Sequence, residues 1–157
     1  MALVRIASRA GWVLAVVLIL LIGAQFVGAN RTNPPSRPEA SLLAQKATPP
    51  AVRAILDRSC RDCHSNDTRW PWYSHVAPVS WFLLHHINGG RDRLNYSQWT
   101  SYDSDDQDKF LNSMCSLTRK GRMPLPSYLW IHRDARLSDA EINTLCAWSD
   151  KMRDTLQ

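Results

Sequence analysis

The stretch Cys60-Arg61-Asp62-Cys63-His64 constrains this chain more than any other feature, because two cysteines three apart with a histidine directly after them suit few chemistries. A redox dithiol needs its Cys-x-x-Cys at a strand-to-helix junction within a βαβ pattern, and no strand pattern precedes Cys60. A structural zinc site needs a second closely spaced ligand pair, whereas Cys115 and Cys146 stand apart from each other and from any histidine pair. Covalent haem c meets the spacing without strain: the two thiols add to the two vinyl groups, and His64 follows where the proximal iron ligand must be. One haem held by Cys60, Cys63 and His64 is the expected cofactor.

Such attachment takes place outside the cytoplasm, and the N-terminus is consistent with export. Arg5 and Arg9 precede the uncharged run GWVLAVVLILLIGAQFVG, residues 11–28, and Val27-Gly28-Ala29 has the small residues of a cleavage site. Residues 1–29 read either as a signal peptide or as a transmembrane helix anchored in the inner membrane, with the chain beyond Asn30 in the periplasm. Without Arg5 and Arg9 the formal charge falls from +5 to +3. That excess is too small to argue for nucleic acid and suits acidic periplasmic or membrane redox proteins. Residues 30–48 include Pro34, Pro35 and Pro38 and read as an extended linker, which leaves 49–157 as the haem domain.

Within that domain the apolar spacing is helical. Thr48 is a candidate cap for a helix carrying Val52, Ile55, Leu56 and Ser59, which delivers both cysteines to one place. Val79, Phe82, Leu83, His86 and Ile87 form a stripe on a second helix, expected to stop at Gly89-Gly90. Ser104 with Gln107, and Ser138 with Glu141, have capping-box spacing for two more helices. The acids after Ser104 need no calcium, since the glycine and spaced acids of a calcium loop are missing. Trp70, Trp72, Tyr73, Trp81 and Phe82 are expected as apolar walls of the domain and its porphyrin.

The second iron ligand has three candidates. Met123 precedes Pro124, which holds it in extended loop conformation, unlike Met114 on a helical apolar stripe. His86 and His132 are the alternatives, and an open distal position is the fourth possibility. Arg91, with Arg93, has the bidentate chemistry to grip a haem propionate, though solvated surface charge is an equal reading. Outside the cytoplasm the two leftover cysteines, Cys115 and Cys146, are expected to form a disulfide.

Export run, helix, Cys-x-x-Cys-His, late Met-Pro and amphipathic C-terminal helix together resemble the c-type cytochromes. The strings HSNDTRWPWYSHVAPVSWFLLHHINGGRDRLNYSQW and MPLPSYLWIHRDARLS are similar to the bacterial haem-binding domain family of small exported proteins, over nearly all of residues 50–150. The resemblance implies an all-α, cytochrome c-like helical domain around one covalent haem. The function expected is single-electron transfer in the periplasm with no substrate converted. The alternative is a peroxidase-like haem enzyme or a redox or gas sensor, with an open or histidine-ligated distal site.

Overall fold

The computed structural model describes residues 2–156, with side chains described from Arg9 onward, so the Arg5 side chain lies outside the described residues. Among the described residues the regular structure is all helical: α1 (Ala2–Ala24), α2 (Pro50–Ser59), α3 (Arg61–His64), α4 (Val79–Arg93), α5 (Ser104–Arg119), α6 (Pro126–Leu129) and α7 (Asp139–Asp154). Short 3-10 turns occupy Pro38–Ala40, Leu42–Ala44, Trp72–His75, Tyr96–Ser101 and Arg133–Ala135.

The chain divides into two compact units, residues 1–32 with 70–86 and residues 33–69 with 87–157. In the first unit α1 carries exposed apolar side chains around its whole circumference, from Trp12 to Ile22. Among the described residues no helix is long and apolar enough to cross a membrane, so the membrane-spanning form of the expectation for residues 11–28 is not borne out.

The second unit holds the main core. Val52, Ile55 and Leu56 of α2 bury the face their spacing foretells, against Leu111 and Met114 of α5, Leu145 and Trp148 of α7, and Leu94, Tyr96 and Trp99. Each such aliphatic side chain removed from water contributes roughly 1.5–3 kcal/mol. α5 and α7 are joined by a Cys115–Cys146 disulfide with Cα atoms 4.9 Å apart. The Ser149 hydroxyl donates to the Leu111 carbonyl at 2.7 Å, and Arg153 pairs with Asp108 at 2.8 Å. Arg58 of α2 reaches Glu141 at the start of α7 at 2.7 Å.

Several sequence expectations are corrected. The expected linker, residues 30–48, is not free: Leu42 is fully buried in the core, and Trp148 Nε1 donates to the Ala47 carbonyl at 2.8 Å. Proline spacing argued for an extended tether, but Leu42 supplies apolar burial that spacing cannot reveal. Thr48 does not cap α2; Pro49 takes that place, and the Thr48 hydroxyl donates to the Leu42 carbonyl at 2.9 Å. At α5 the cap is Asp103, whose carboxylate accepts from the Asp106 N–H at 2.8 Å, while Gln107 donates to the Trp99 and Tyr102 carbonyls. The Ser138–Glu141 capping box of α7 is present in both directions.

α4 continues past Gly89-Gly90 to Arg93. Its expected stripe is not one buried face, since Val79 and Phe82 are exposed while Ile87 is buried. The helix is shared between the two units, so its two halves do not serve a single core.

Candidate functional site

α2 ends because Cys60 leaves the helical region, with φ −132° and ψ −29°, and the chain restarts as the single turn α3. The Cys63 and His64 N–H groups both donate to the Cys60 carbonyl, at 3.3 and 3.1 Å. Positions i, i+3 and i+4 of one turn share a face, so this turn groups the two thiols and the imidazole.

Both cysteines are free thiols. Burial pushes Cys60 up to about 11, against the opposing effects of a hydrogen bond with the Tyr96 hydroxyl and the charge of Arg58. Cys63 is likewise pushed up to about 11 by burial, then by Asp62 and Cys60, with Arg91 acting against. At neutral pH both sulfurs therefore keep their protons. His64 is shifted the other way: burial lowers its pKa, partly offset by hydrogen bonds to the Leu94 and Gly90 carbonyls. Its Nδ1 lies 3.0 Å from the Leu94 carbonyl, which can only accept, so Nδ1 carries the proton and Nε2 keeps its lone pair. A neutral imidazole oriented through its other nitrogen is the form that ligates a metal.

The turn is fixed from several sides. Gly90 of α4 packs against it so closely that a Cβ would fall 2.5 Å from the Cys63 carbonyl oxygen. The Asp62 carboxylate accepts from the Arg69 N–H at 3.2 Å, Arg69 Nε at 3.0 Å and the Tyr128 hydroxyl at 3.1 Å. The Asp62 carbonyl accepts from the Thr68 hydroxyl at 2.6 Å. Beyond His64, the Asn66 N–H donates to the Ser97 hydroxyl at 3.0 Å, and the Asn95 amide donates to Asn66 Oδ1 at 2.8 Å.

Arg91, expected at a propionate, is used as a clamp. Its Nε donates to the Ser65 carbonyl at 2.8 Å, and its Nη2 to Thr68 Oγ1 at 2.9 Å and Asn33 Oδ1 at 3.1 Å. Beyond these donors only Nη1 is left for an anion. Sequence reasoning missed Gly90, Asp62, Asn66, Asn95, Tyr96 and Tyr128. The Gly89-Gly90 pair signals a helix stop in sequence, and nothing in its spacing signals a close approach.

Met123 sits half-buried in the loop after α5, its N–H donating to the Leu117 carbonyl at 3.2 Å. His132 stacks on Tyr128 with ring centroids 4.2 Å apart and planes 14° off parallel. Met123 and His132 thus belong to one segment, which the Tyr128–Asp62 bond ties to the cysteine turn. His86 belongs to the first unit, its Nδ1 2.8 Å from the Phe82 carbonyl and its ring 4.2 Å from that of Phe82.

Among the described residues no group of three or more His, Cys, Asp or Glu side chains is placed to hold a metal ion by itself. A cleft of about 350 Å³ in the second unit is lined by Pro35, Arg37, Ser97 and Gln98 among others, and by none of the residues of the cysteine turn. The donor set of that turn, two protonated thiols and one imidazole with a free Nε2, fits a porphyrin held through its periphery and its iron.

A family model described as a haem-binding domain matches residues 19–151. No curated protein and no solved structure matches the chain.

Proposed function

The chain belongs to the haem-binding domain family, and from that premise we propose an exported c-type protein of the periplasm that holds one haem covalently and passes single electrons between redox proteins. The observation that carries this reading is the turn whose Cys63 and His64 N–H groups both close onto the Cys60 carbonyl, with His64 Nδ1 committed to the Leu94 carbonyl. When bound, haem supplies a one-electron iron couple whose potential follows its axial ligands and its burial.

The chain's own residues have separable tasks. Cys60 and Cys63 are the residues that would hold the group by its periphery, each as a thioether equivalent to net addition of its S–H across a vinyl double bond, with the hydrogen ending on carbon. His64 would present Nε2, with its Nδ1 held on the Leu94 carbonyl. Gly90, Arg91 and Asp62 hold the backbone of the turn. Met123 is the distal ligand we favour, with His132 on the same tethered segment and His86 in the first unit as rivals. A methionine sulfur joined to His64 in holding the iron would favour electron transfer over substrate chemistry, because it would leave no site for a substrate.

The test is the absorption spectrum of the purified exported protein, oxidised and reduced, with a denatured pyridine spectrum to count thioether bonds. Wild type is expected to show two thioethers, and the Cys60→Ala and Cys63→Ala variants one each. A sulfur-to-iron band that disappears in Met123→Ala supports the electron-carrier reading. Carbon monoxide binding to the reduced wild type, with no such band, would instead support a peroxidase-like enzyme or a gas sensor.

A further inference from the structure

We propose that the exposed aromatic face of the first unit is a contact with a phospholipid bilayer, with Phe26, Trp72, Trp81 and Phe82 seated at headgroup depth. The inference does not rest on the haem chemistry of the second unit.

Charge is segregated between the units. Of the chain's 19 basic and 14 acidic residues, the first unit has only Arg5, Arg9 and Arg31, and no acid at all. No charged residue occurs from Ala10 to Asn30 or from Trp70 to Gly90. Inside these neutral stretches the large apolar side chains point outward: Phe26 is 85% exposed, Trp72 79%, Val27 60% and Phe82 55%.

The two stretches are bonded to each other. The Gln25 side-chain amide donates to the Ala77 carbonyl at 3.1 Å and accepts from the Ala77 N–H at 3.0 Å. Trp81 Nε1 donates to the Val27 carbonyl at 3.2 Å, and Arg31 donates to the Ser74 carbonyl at 3.3 Å. Phe26 and Val27 are thereby fastened beside Val76, Trp81 and Phe82. These bonds also satisfy backbone polar groups of Ala77, Val27 and Ser74 within the protein, which any surface entering an apolar medium requires.

Lipid accounts for this face better than a protein partner does. Protein docking patches have a polar rim that sets register, and the first unit offers only Arg5, Arg9 and Arg31 and no acid for one. The face is continuous with α1, whose apolar side chains are exposed all round. Tryptophan and phenylalanine on a neutral surface next to isolated arginines suit the boundary between acyl chains and phosphates.

The experiment uses the full-length haem-loaded protein in phosphatidylcholine vesicles, with nitroxide labels on Trp72→Cys and Phe82→Cys and on Thr144→Cys, an exposed control on α7. Collision of each label with dissolved oxygen and with a water-soluble nickel chelate reports depth. Labels at 72 and 82 are expected to lose nickel accessibility several-fold relative to 144 and to gain oxygen accessibility. Equal nickel accessibility at all three positions overturns the proposal. So does spin–spin broadening between labels at 72, which indicates a second copy on the face, or a changed haem spectrum in Trp72→Cys and Phe82→Cys, which indicates that the haem covers it. If both variants fail to fold, brominated phospholipid must quench the tryptophan emission of the wild-type chain, and absence of quenching overturns the proposal equally. The thioether count of the wild type is read separately, so failure of the haem assignment and failure of the lipid contact are distinguishable.

Discussion

Gly90 and Cys63 touch backbone to backbone: the position a Gly90 Cβ would occupy lies 2.5 Å from the Cys63 carbonyl oxygen and 3.1 Å from its carbonyl carbon. Neither atom belongs to a flexible side chain, so a larger residue must move α4 or the turn that carries His64. Gly90→Ala is expected to lower stability by about 1–3 kcal/mol, the usual cost of overpacking. Urea titration measures that loss, and the haem-loaded yield of the variant should fall with it.

Tyr128→Phe removes the hydroxyl that ties the Met123 and His132 segment to the Asp62 carboxylate. The stability cost should be about 0.5–1.5 kcal/mol, typical of one hydrogen bond. The sulfur-to-iron band should weaken more than stability does, because the tether sets where the segment lies. An unchanged band in a destabilised variant would show that the bond only holds the fold.

The Cys115–Cys146 bridge joins residues 31 apart in sequence, a loop whose closure in the unfolded chain is worth about 3–4 kcal/mol on the entropy model. Cys115→Ala with Cys146→Ala should lose about that much in chemical denaturation. The double variant is used because reductant would also act on any haem iron.

Glu141 is held below its usual value of 4.5, first by the Ser138 N–H and then by Arg58. Its folded pKa is depressed, so the unfolded chain binds more protons over the interval between the two values. The stability it contributes is present above about pH 4.5 and is lost as pH falls through the folded value. Glu141→Gln should flatten the acid limb of a stability-against-pH curve, with little further effect near neutrality on groups other than the Arg58 pair. Ser138→Ala should cost about 1 kcal/mol at neutral pH through the lost cap.

Much of this protein was legible because the deciding interactions are local. The Cys60, Cys63 and His64 spacing lies within one helical turn, and the capping box of α7 needs only residues three apart. The α2 stripe of Val52, Ile55 and Leu56 likewise depends on period alone, and so does the all-helical class. Those features are written in sequence because their partners are neighbours along the chain.

Tertiary structure decided what depends on distant partners. Which carbonyl His64 addresses is Leu94, thirty residues away, and no periodicity encodes that choice. Arg91 was free in sequence to grip a propionate, yet the fold sets its Nε on Ser65 and its Nη2 on Thr68 and Asn33. Pro-rich spacing reads residues 30–48 as an extended linker, whereas Leu42 lies in the core. Trp72 and Phe82, expected as apolar walls of the domain and its porphyrin, are exposed. Apolar composition states how much surface needs covering, and only the packing of the whole chain states which side chains it covers.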